Sequence, residues 1–261
     1  MTREALAREL ERMAAEMPAN VSLLWQGLEE ETPWASFEAE KRMVSASTVK
    51  LPMLMAVLNS TTAGERSLDS RLTVTAGDIL PDSALFEQGP GQYSLEELLR
   101  FMIIDSDNSC TNRMIRLMGM GQLNAYFARM GLTETKVERC MLDYDAVAAG
   151  KNNYTSARDQ FRAWKLLLSG EALPRPLAEF ALSALKDCRD TSLLLRYLMK
   201  NPPVAHKTGM LENLNHDSAV FFPEGGQPFF LGVFVSNAPS NNAAERFIGT
   251  VGKKVWTWVN A

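Results

Sequence analysis

Apolar positions recur along this chain with two different periods, and the change between them divides it. Leu6, Leu10, Met13 and Met17 fall at helical spacing and Pro18 follows, which predicts an amphipathic helix ending near Glu16. Such a helix needs a surface to cover. Val21 to Trp25 and Trp34 to Ala39, separated by the polar segment Gly27 to Pro33, read as a hairpin of two strands. From about residue 60 to 200 the pattern is mostly helical. Ser94-Leu95-Glu96-Glu97 is a capping box, with Leu95, Leu98, Leu99, Met102 and Ile103 as the apolar face behind it. That helix is predicted to break at Asp105-Ser106-Asp107-Asn108, whose side chains compete for backbone hydrogen bonds, and to resume through Met114 and Met118 to Gly119. Phe161 to Leu168 and Leu177 to Leu185 add helices, whereas Thr135 to Asn153 is irregular and charged, a long loop of the kind that carries function.

After residue 203 the period becomes that of strands, in Val204 to Gly209, Asp217 to Phe222 and Phe229 to Val235, the last two joined by a turn through Glu224-Gly225-Gly226. A final helix carries Phe247, Val251, Val255 and Val259 on one face. The order predicts an α+β fold: an antiparallel sheet of about five strands from both chain ends, flanked by terminal helices, with an all-helical domain inserted. Residues 1–44 and 203–261 would form the first unit and 45–202 the second.

With 261 residues and 46% hydrophobic content, the chain can bury a large core. A net charge of −4, with no basic run longer than Lys253-Lys254, argues against nucleic acid as a partner. The longest apolar runs, Leu51 to Leu58 and Phe229 to Val235, are too short for a membrane span. The first 13 residues alternate charges and lack a signal-peptide core, so the chain as written is expected in the cytoplasm, or outside it if a leader has been removed. A monomer is expected. Cys110, Cys140 and Cys188 have no metal-type spacing and are expected to be free thiols, with no cofactor and no metal.

The candidate chemistry starts at Ser47-Thr48-Val49-Lys50, a hydroxyl and an amine at i and i+3 heading the apolar helix Leu51 to Met55. In a first turn, Ser47 would sit over free backbone N–H groups at the positive end of the helix dipole, where an oxyanion is stabilised. Taken alone, the tetrapeptide reads more readily as a helix cap beside a solvated lysine. Ser106-Asp107-Asn108 alone is a capping turn, and Lys207-Thr208-Gly209 alone is a charged strand. The three in this order, on a helix head, a helix-breaking turn and a strand, match the set found in class A β-lactamases and penicillin-binding proteins.

Through these motifs the chain resembles the class A serine β-lactamase and penicillin-binding superfamily over nearly its whole length, which implies a β-lactamase-like fold with the active site in a cleft between the two units. The residues suit acyl transfer in their own right: Ser47 as nucleophile, Lys50 as base if Lys207 lowers its pKa, and Ser106 as proton relay to the leaving nitrogen. The resemblance further implies an oxyanion hole from the backbone N–H groups of Ser47 and Met210, Asn108 on the substrate amide and Thr208 near the substrate carboxylate. A bare Gly209 lets a substrate backbone lie alongside the strand.

Two departures stand out. The family's loop glutamate, which activates water for deacylation, is replaced by Met141, so a displaced carboxylate, Asp145 or Asp143, becomes the candidate base. Asn215 stands where many members carry an arginine for the substrate carboxylate, with His216 as a possible substitute. Asn152 or Asn153 also replaces the acid opposite Arg139. The expected function is opening of β-lactam amides through an acyl-enzyme on Ser47, with slow deacylation. A DD-peptidase, amidase or esterase acting on an acyl-peptide or small ester would use the same residues, and a penicillin sensor would acylate once without turnover. No Gly-x-Ser-x-Gly elbow, His-Glu-x-x-His or Cys-x-x-Cys is present, which disfavours other serine hydrolases and zinc enzymes.

Overall fold

A computed structural model describes residues 1–64, 66–81, 83–199 and 202–261; the end of the predicted helical stretch, at Lys200, lies outside the described residues. Helix α1 (Arg3–Glu16) starts where the Thr2 hydroxyl accepts from the Ala5 N–H. A cap of this kind stabilises a helix by about 1 kcal/mol. Strands β1 (Asn20–Gly27), β2 (Ala35–Phe37) and β3 (Met43–Val44) follow, then a 3-10 turn (Ala46–Val49) that runs into α2 (Lys50–Thr61). Beyond lie β4 (Arg71–Val74), β5 (Gly91–Ser94), α3 (Leu95–Ile104), α4 (Asn108–Met118), α5 (Met120–Arg129), α6 (Tyr144–Ala148) and β6 (Tyr154–Thr155). The chain ends with α7 (Ala157–Ser169), α8 (Arg175–Lys186), β7 (Val204–Leu211), β8 (Leu214–Phe221), β9 (Phe229–Ser236) and α9 (Asn241–Val259). No helix among the described residues is long and apolar enough to cross a membrane.

Five strands form one antiparallel sheet in the order β2-β1-β9-β8-β7, so the hairpin from the N-terminal end joins the three strands from the C-terminal end. Residues Asn20 to Gly27 of β1 face Ser236 to Phe229 of β9. The apolar run of β9 serves both faces of the sheet. Phe230 and Phe234 enter the core shared with α2, α3 and α7, while Phe229, Leu231, Val233 and Val235 enter the core under α1 and α9. A strand covered on both sides has no solvent face, which is why it lacks polar alternation.

Under the terminal helices, Trp25 packs edge-on against Trp34 at 5.1 Å and Trp258 at 5.3 Å. Each such pair contributes about 0.5–1.5 kcal/mol beyond its buried area. On the other side, α2 is buried from Lys50 to Leu58 and forms the axis around which the other helices pack. The segment between β3 and β7 also carries two short ladders, β4 with β5 and β3 with β6, which local periodicity did not reveal. Their strands are two to four residues long, too short for alternation to register.

Candidate active site

The turn that carries Ser47 is fixed from several directions. Ala46 takes a φ of 45°, a left-handed value that a non-glycine residue holds only when its surroundings impose it. Those surroundings are visible in the hydrogen bonds: Ser45 N–H donates to the Asn153 carbonyl at 2.8 Å, Thr48 Oγ1 to the Ser45 carbonyl at 2.7 Å, and Gln160 Nε2 to the Thr48 carbonyl at 3.2 Å. Ser47 is left half-buried at the floor of a cleft of about 460 Å³. Ser106, Asn108, Lys207, Thr208, Gly209 and Met210 line the same cleft.

Gly209 has a physical role different from the expected one. A Cβ there would lie 2.8 Å from the Ser47 backbone nitrogen and 3.0 Å from that of Thr48. Strand β7 therefore presses directly on the serine turn, and the missing side chain is what allows it. Backbone atoms cannot swing aside. Gly209→Ala is expected to push β7 away from the Ser47 N–H and, if that group is the oxyanion donor the family resemblance implies, to slow acylation by roughly 10²-fold, the cost of one such donor. Stopped-flow acylation by a chromogenic cephalosporin checks this, and an unchanged rate would mean that the close approach is not needed.

The break between α3 and α4 is built as its residues predict. Asp107 caps α4 through Cys110 N–H at 2.8 Å, and its second oxygen accepts from the Ser83 hydroxyl and the Leu85 N–H. Ser106 is held at a φ of 55°. This turn aims three acceptors at one amine. Lys50 Nζ contacts the Ser106 carbonyl, Ser106 Oγ at 3.1 Å and Asn108 Oδ1 at 2.9 Å. Lys50 has no exposed surface. Burial first, and the Lys207 charge second, push its amine well below the ordinary lysine value. Lys207 is equally buried and donates to the Thr208 carbonyl at 3.0 Å.

Three of the expected site residues lie elsewhere. His216 has no exposed surface and does not line the cleft. It pairs with Gly209 across the sheet, under the serine turn, where Nε2 meets the Val44 carbonyl at 2.8 Å and Nδ1 meets the Val235 N–H at 3.1 Å. Burial lowers its pKa to about 4. A neutral, sealed imidazole cannot bind a substrate carboxylate, so it does not substitute for the arginine. Asn215 is also fully buried.

Asp143 caps α6 by accepting from Ala146 N–H at 3.0 Å, and Asp145 is exposed on that helix. Neither lines the cleft. The loop is instead clamped by Asn112, which exchanges hydrogen bonds with both backbone groups of Met141 at 2.6 and 3.1 Å, while the Met141 side chain is buried. Opposite Arg139 stands Asn152, whose Oδ1 accepts from Nε at 3.0 Å, so the clasp persists without a second charge.

Ile104, Asp105, Cys188, Arg189 and Asp190 complete the cleft wall. No local motif marks the last three, which lie between α8 and β7. Burial alone would raise the Asp190 carboxyl, but hydrogen bonds from Ser192 and Thr208 and the charge of Lys207 outweigh it and hold it below the usual range.

Known proteins resemble this chain in sequence and in fold. The sequence profile of the beta-lactamase enzyme family matches residues 5–259. A β-lactamase of Rhodobacter capsulatus is 27% identical over 239 residues, covering 90% of this chain and 81% of the relative. Among solved structures, the TLA-3 extended-spectrum β-lactamase superposes with a TM-score of 0.90 at 20% identity, with both chains fully covered. The structure of PBP-A superposes with a TM-score of 0.87 at 25% identity, covering 98% of this chain and 96% of that one. The fold, the β-lactamase-like architecture expected from the motifs, and the profile match over almost every residue lead to one conclusion: the chain belongs to the beta-lactamase enzyme family.

Proposed function

We propose that the protein is a serine acyl-enzyme hydrolase that opens β-lactam amides and releases the product slowly. The observation that carries this reading is the buried Lys50 amine, held between Ser106 and Asn108 at the base of the cleft that Ser47 and Lys207 share. A neutral amine offers two N–H groups and one lone pair. With the Ser106 carbonyl and Asn108 Oδ1 as acceptors, the lone pair is left for a hydroxyl proton. In this reading Lys50 takes the proton of Ser47 as its oxygen attacks the lactam carbonyl, and Ser106 passes a proton to the leaving nitrogen. The backbone N–H groups of Ser47 and Met210 receive the oxyanion. Asn108 orients the substrate amide, and Thr208 with Lys207 and the nearby Arg189 attracts its carboxylate.

Slow release follows from what surrounds the loop. Met141 carries no proton acceptor, Asp143 is engaged in capping, and Asp145 is exposed on α6 and does not line the cleft. General-base catalysis contributes about 10²–10⁴-fold to such a step, so its absence makes a long-lived adduct. The same absence favours a second reading, a penicillin-binding peptidase or amidase with the same residues, and the similarity to PBP-A at 25% identity fits it as well.

Intact-protein mass, followed over time with benzylpenicillin or a cephalosporin while free antibiotic is measured, tests the proposal. An adduct that forms and decays over many minutes, with antibiotic consumed at the same slow rate, is expected. A permanent adduct together with cleavage of a D-Ala-D-Ala peptide would assign the second reading. A permanent adduct without it would make the protein a sensor, and no adduct at all would remove β-lactams as substrates.

A further inference from the structure

A second group of nucleophilic and titratable side chains borders the cleft without a part in the acylation chemistry. Cys188 shares the cleft wall with Ser47, Ser106 and Lys207 and is 8% exposed. Beside its thiol stands the His206 imidazole, whose Nδ1 lies 3.2 Å from Asp217 Oδ1. The other Asp217 oxygen accepts from Leu194 N–H at 3.1 Å, which fixes the carboxylate in place. Both His206 and Asp217 are sealed from solvent. His206 and Lys207 are successive residues of β7 and point to opposite faces of the sheet. Because β7 is the edge strand, a thiol just beyond that edge meets both cations.

The arrangement is cysteine, histidine and aspartate in series, opening onto a substrate cleft. Around the thiol stand Lys207 and His206 from β7, Asp217 from β8, Lys50 from α2, and Arg189 and Asp190 from its own segment. Burial alone would raise the thiol, but Lys207 and His206 outweigh it and hold Cys188 below the ordinary cysteine value. His206 is itself raised to about 10, burial opposing and the Asp217 charge prevailing. The two other cysteines are unlike it. Burial pushes both Cys110 and Cys140 up, and Cys110 is fully enclosed.

We propose that Cys188 is a modification site for small hydroperoxides, and that its oxidation closes the Ser47 cleft to substrate. A thiol that is 8% exposed in the cleft wall is open to small reagents. The thiolate sulfur attacks one peroxide oxygen, and the S–O bond forms as the O–O bond breaks. Sulfur gives up two electrons, peroxide gains them, and the departing hydroxide leaves into the cleft, where solvent protonates it to water. The product is a sulfenic acid. Its added oxygen occupies the end of the cleft beside Lys207 and Thr208, where the acylation reading places the substrate carboxylate. The effect on acylation rests on that reading, whereas the oxidation itself does not.

The test treats the whole protein with hydrogen peroxide and dimedone at pH 6, maps the labelled peptides, and measures benzylpenicillin acylation of peroxide-treated protein against untreated protein and the Cys188→Ala variant. Dimedone is expected on Cys188 and not on the more exposed Cys140. Acylation should slow at least about tenfold in the treated wild type, the cost of a small misplacement of substrate. The treated variant should show no slowing. Label on Cys140 alone, no label, or oxidised Cys188 with undiminished acylation would each overturn the proposal. Absence of acylation in untreated protein would sink the Ser47 reading instead, and the labelling would still decide the thiol's role. His206 is a positioning residue here, so His206→Asn should move the pH profile of Cys188 alkylation by iodoacetamide upward. Should that variant not fold, the wild-type profile decides: an inflection below the free-cysteine value of about 8.5 supports the proposal, and one at or above it refutes it.

Discussion

Ser47→Ala is expected to leave the protein folded and unable to form a covalent penicillin adduct. In the proposed mechanism the removed atom is the attacking oxygen, and everything that would assist it remains: the cleft, the buried Lys50 amine, the β7 edge and Lys207. Loss of a nucleophile with its machinery intact costs on the order of 10⁶-fold in comparable serine enzymes, because the remaining groups have nothing to act on. The turn itself should survive. It is held by Ser45, Thr48 and Gln160 through hydrogen bonds that do not involve the Ser47 hydroxyl. Intact mass after mixing with benzylpenicillin reads the result, and peptide mapping gives it a second edge. An adduct mapped to Ser106 would move the nucleophile to the α3–α4 turn, and one mapped to Cys188 would assign acylation to the thiol.

Lys50→Met is expected to produce two effects of opposite sign. Acylation should fall by roughly 10²–10⁴-fold, since a thioether cannot accept the serine proton. Stability should rise. The amine is enclosed next to a second lysine, and its pKa is depressed first by burial and then by Lys207. In the pH range between the depressed folded value and the ordinary unfolded value near 10.4, the unfolded chain binds a proton that the folded chain does not. Stability in that range therefore increases with pH, and at neutral pH Lys50 is a burden on the fold. Replacing buried ion pairs by apolar groups of similar volume is often neutral or stabilising by about 1–4 kcal/mol, and removing an amine whose charged form is disfavoured by burial is expected to fall in the same range.

The acceptors that Lys50 leaves behind, on Ser106 and Asn108, border the cleft, where water can satisfy them. Thermal unfolding at several pH values should show the variant above the wild type at neutral pH, with the gap narrowing as pH approaches 10. A variant less stable than the wild type at pH 7 would mean that the lost hydrogen bonds outweigh the relief of desolvation. The trade of stability for function would then not exist at this position.

Much of this protein was legible before any coordinates. The period-3.6 pattern of Leu6, Leu10 and Met13 located α1, the Ser94 capping box located the start of α3, and Asp105 to Asn108 located the break before α4. The change to strand periodicity located β7, β8 and β9. Three short motifs, each weak alone, marked residues that share one cleft wall. These signals are local: a helix face, a cap or a strand repeats within a few residues, and the residue types there act on their immediate neighbours.

What lay beyond the sequence depends on segments far apart in the chain coming together. Lys50 meets Ser106 across 56 residues, and that meeting, with the enclosure around it, sets the charge of the amine. His216 looked available for a carboxylate until the Val44 carbonyl, 172 residues away, sealed it under the serine turn. Asp143 looked like a spare base until capping engaged it. Gly209 suggested room for a substrate, and the packed chain uses that room for the Ser47 backbone. Cys188 carried no signal at all, because its character comes from two successive residues of an edge strand and an aspartate on the next. The sequence by itself determined most of the longer secondary elements, their order and the inventory of reactive groups. Tertiary structure decided which of those groups face the cleft and which hold a charge, since burial and the distance between remote side chains are fixed only when the chain is packed.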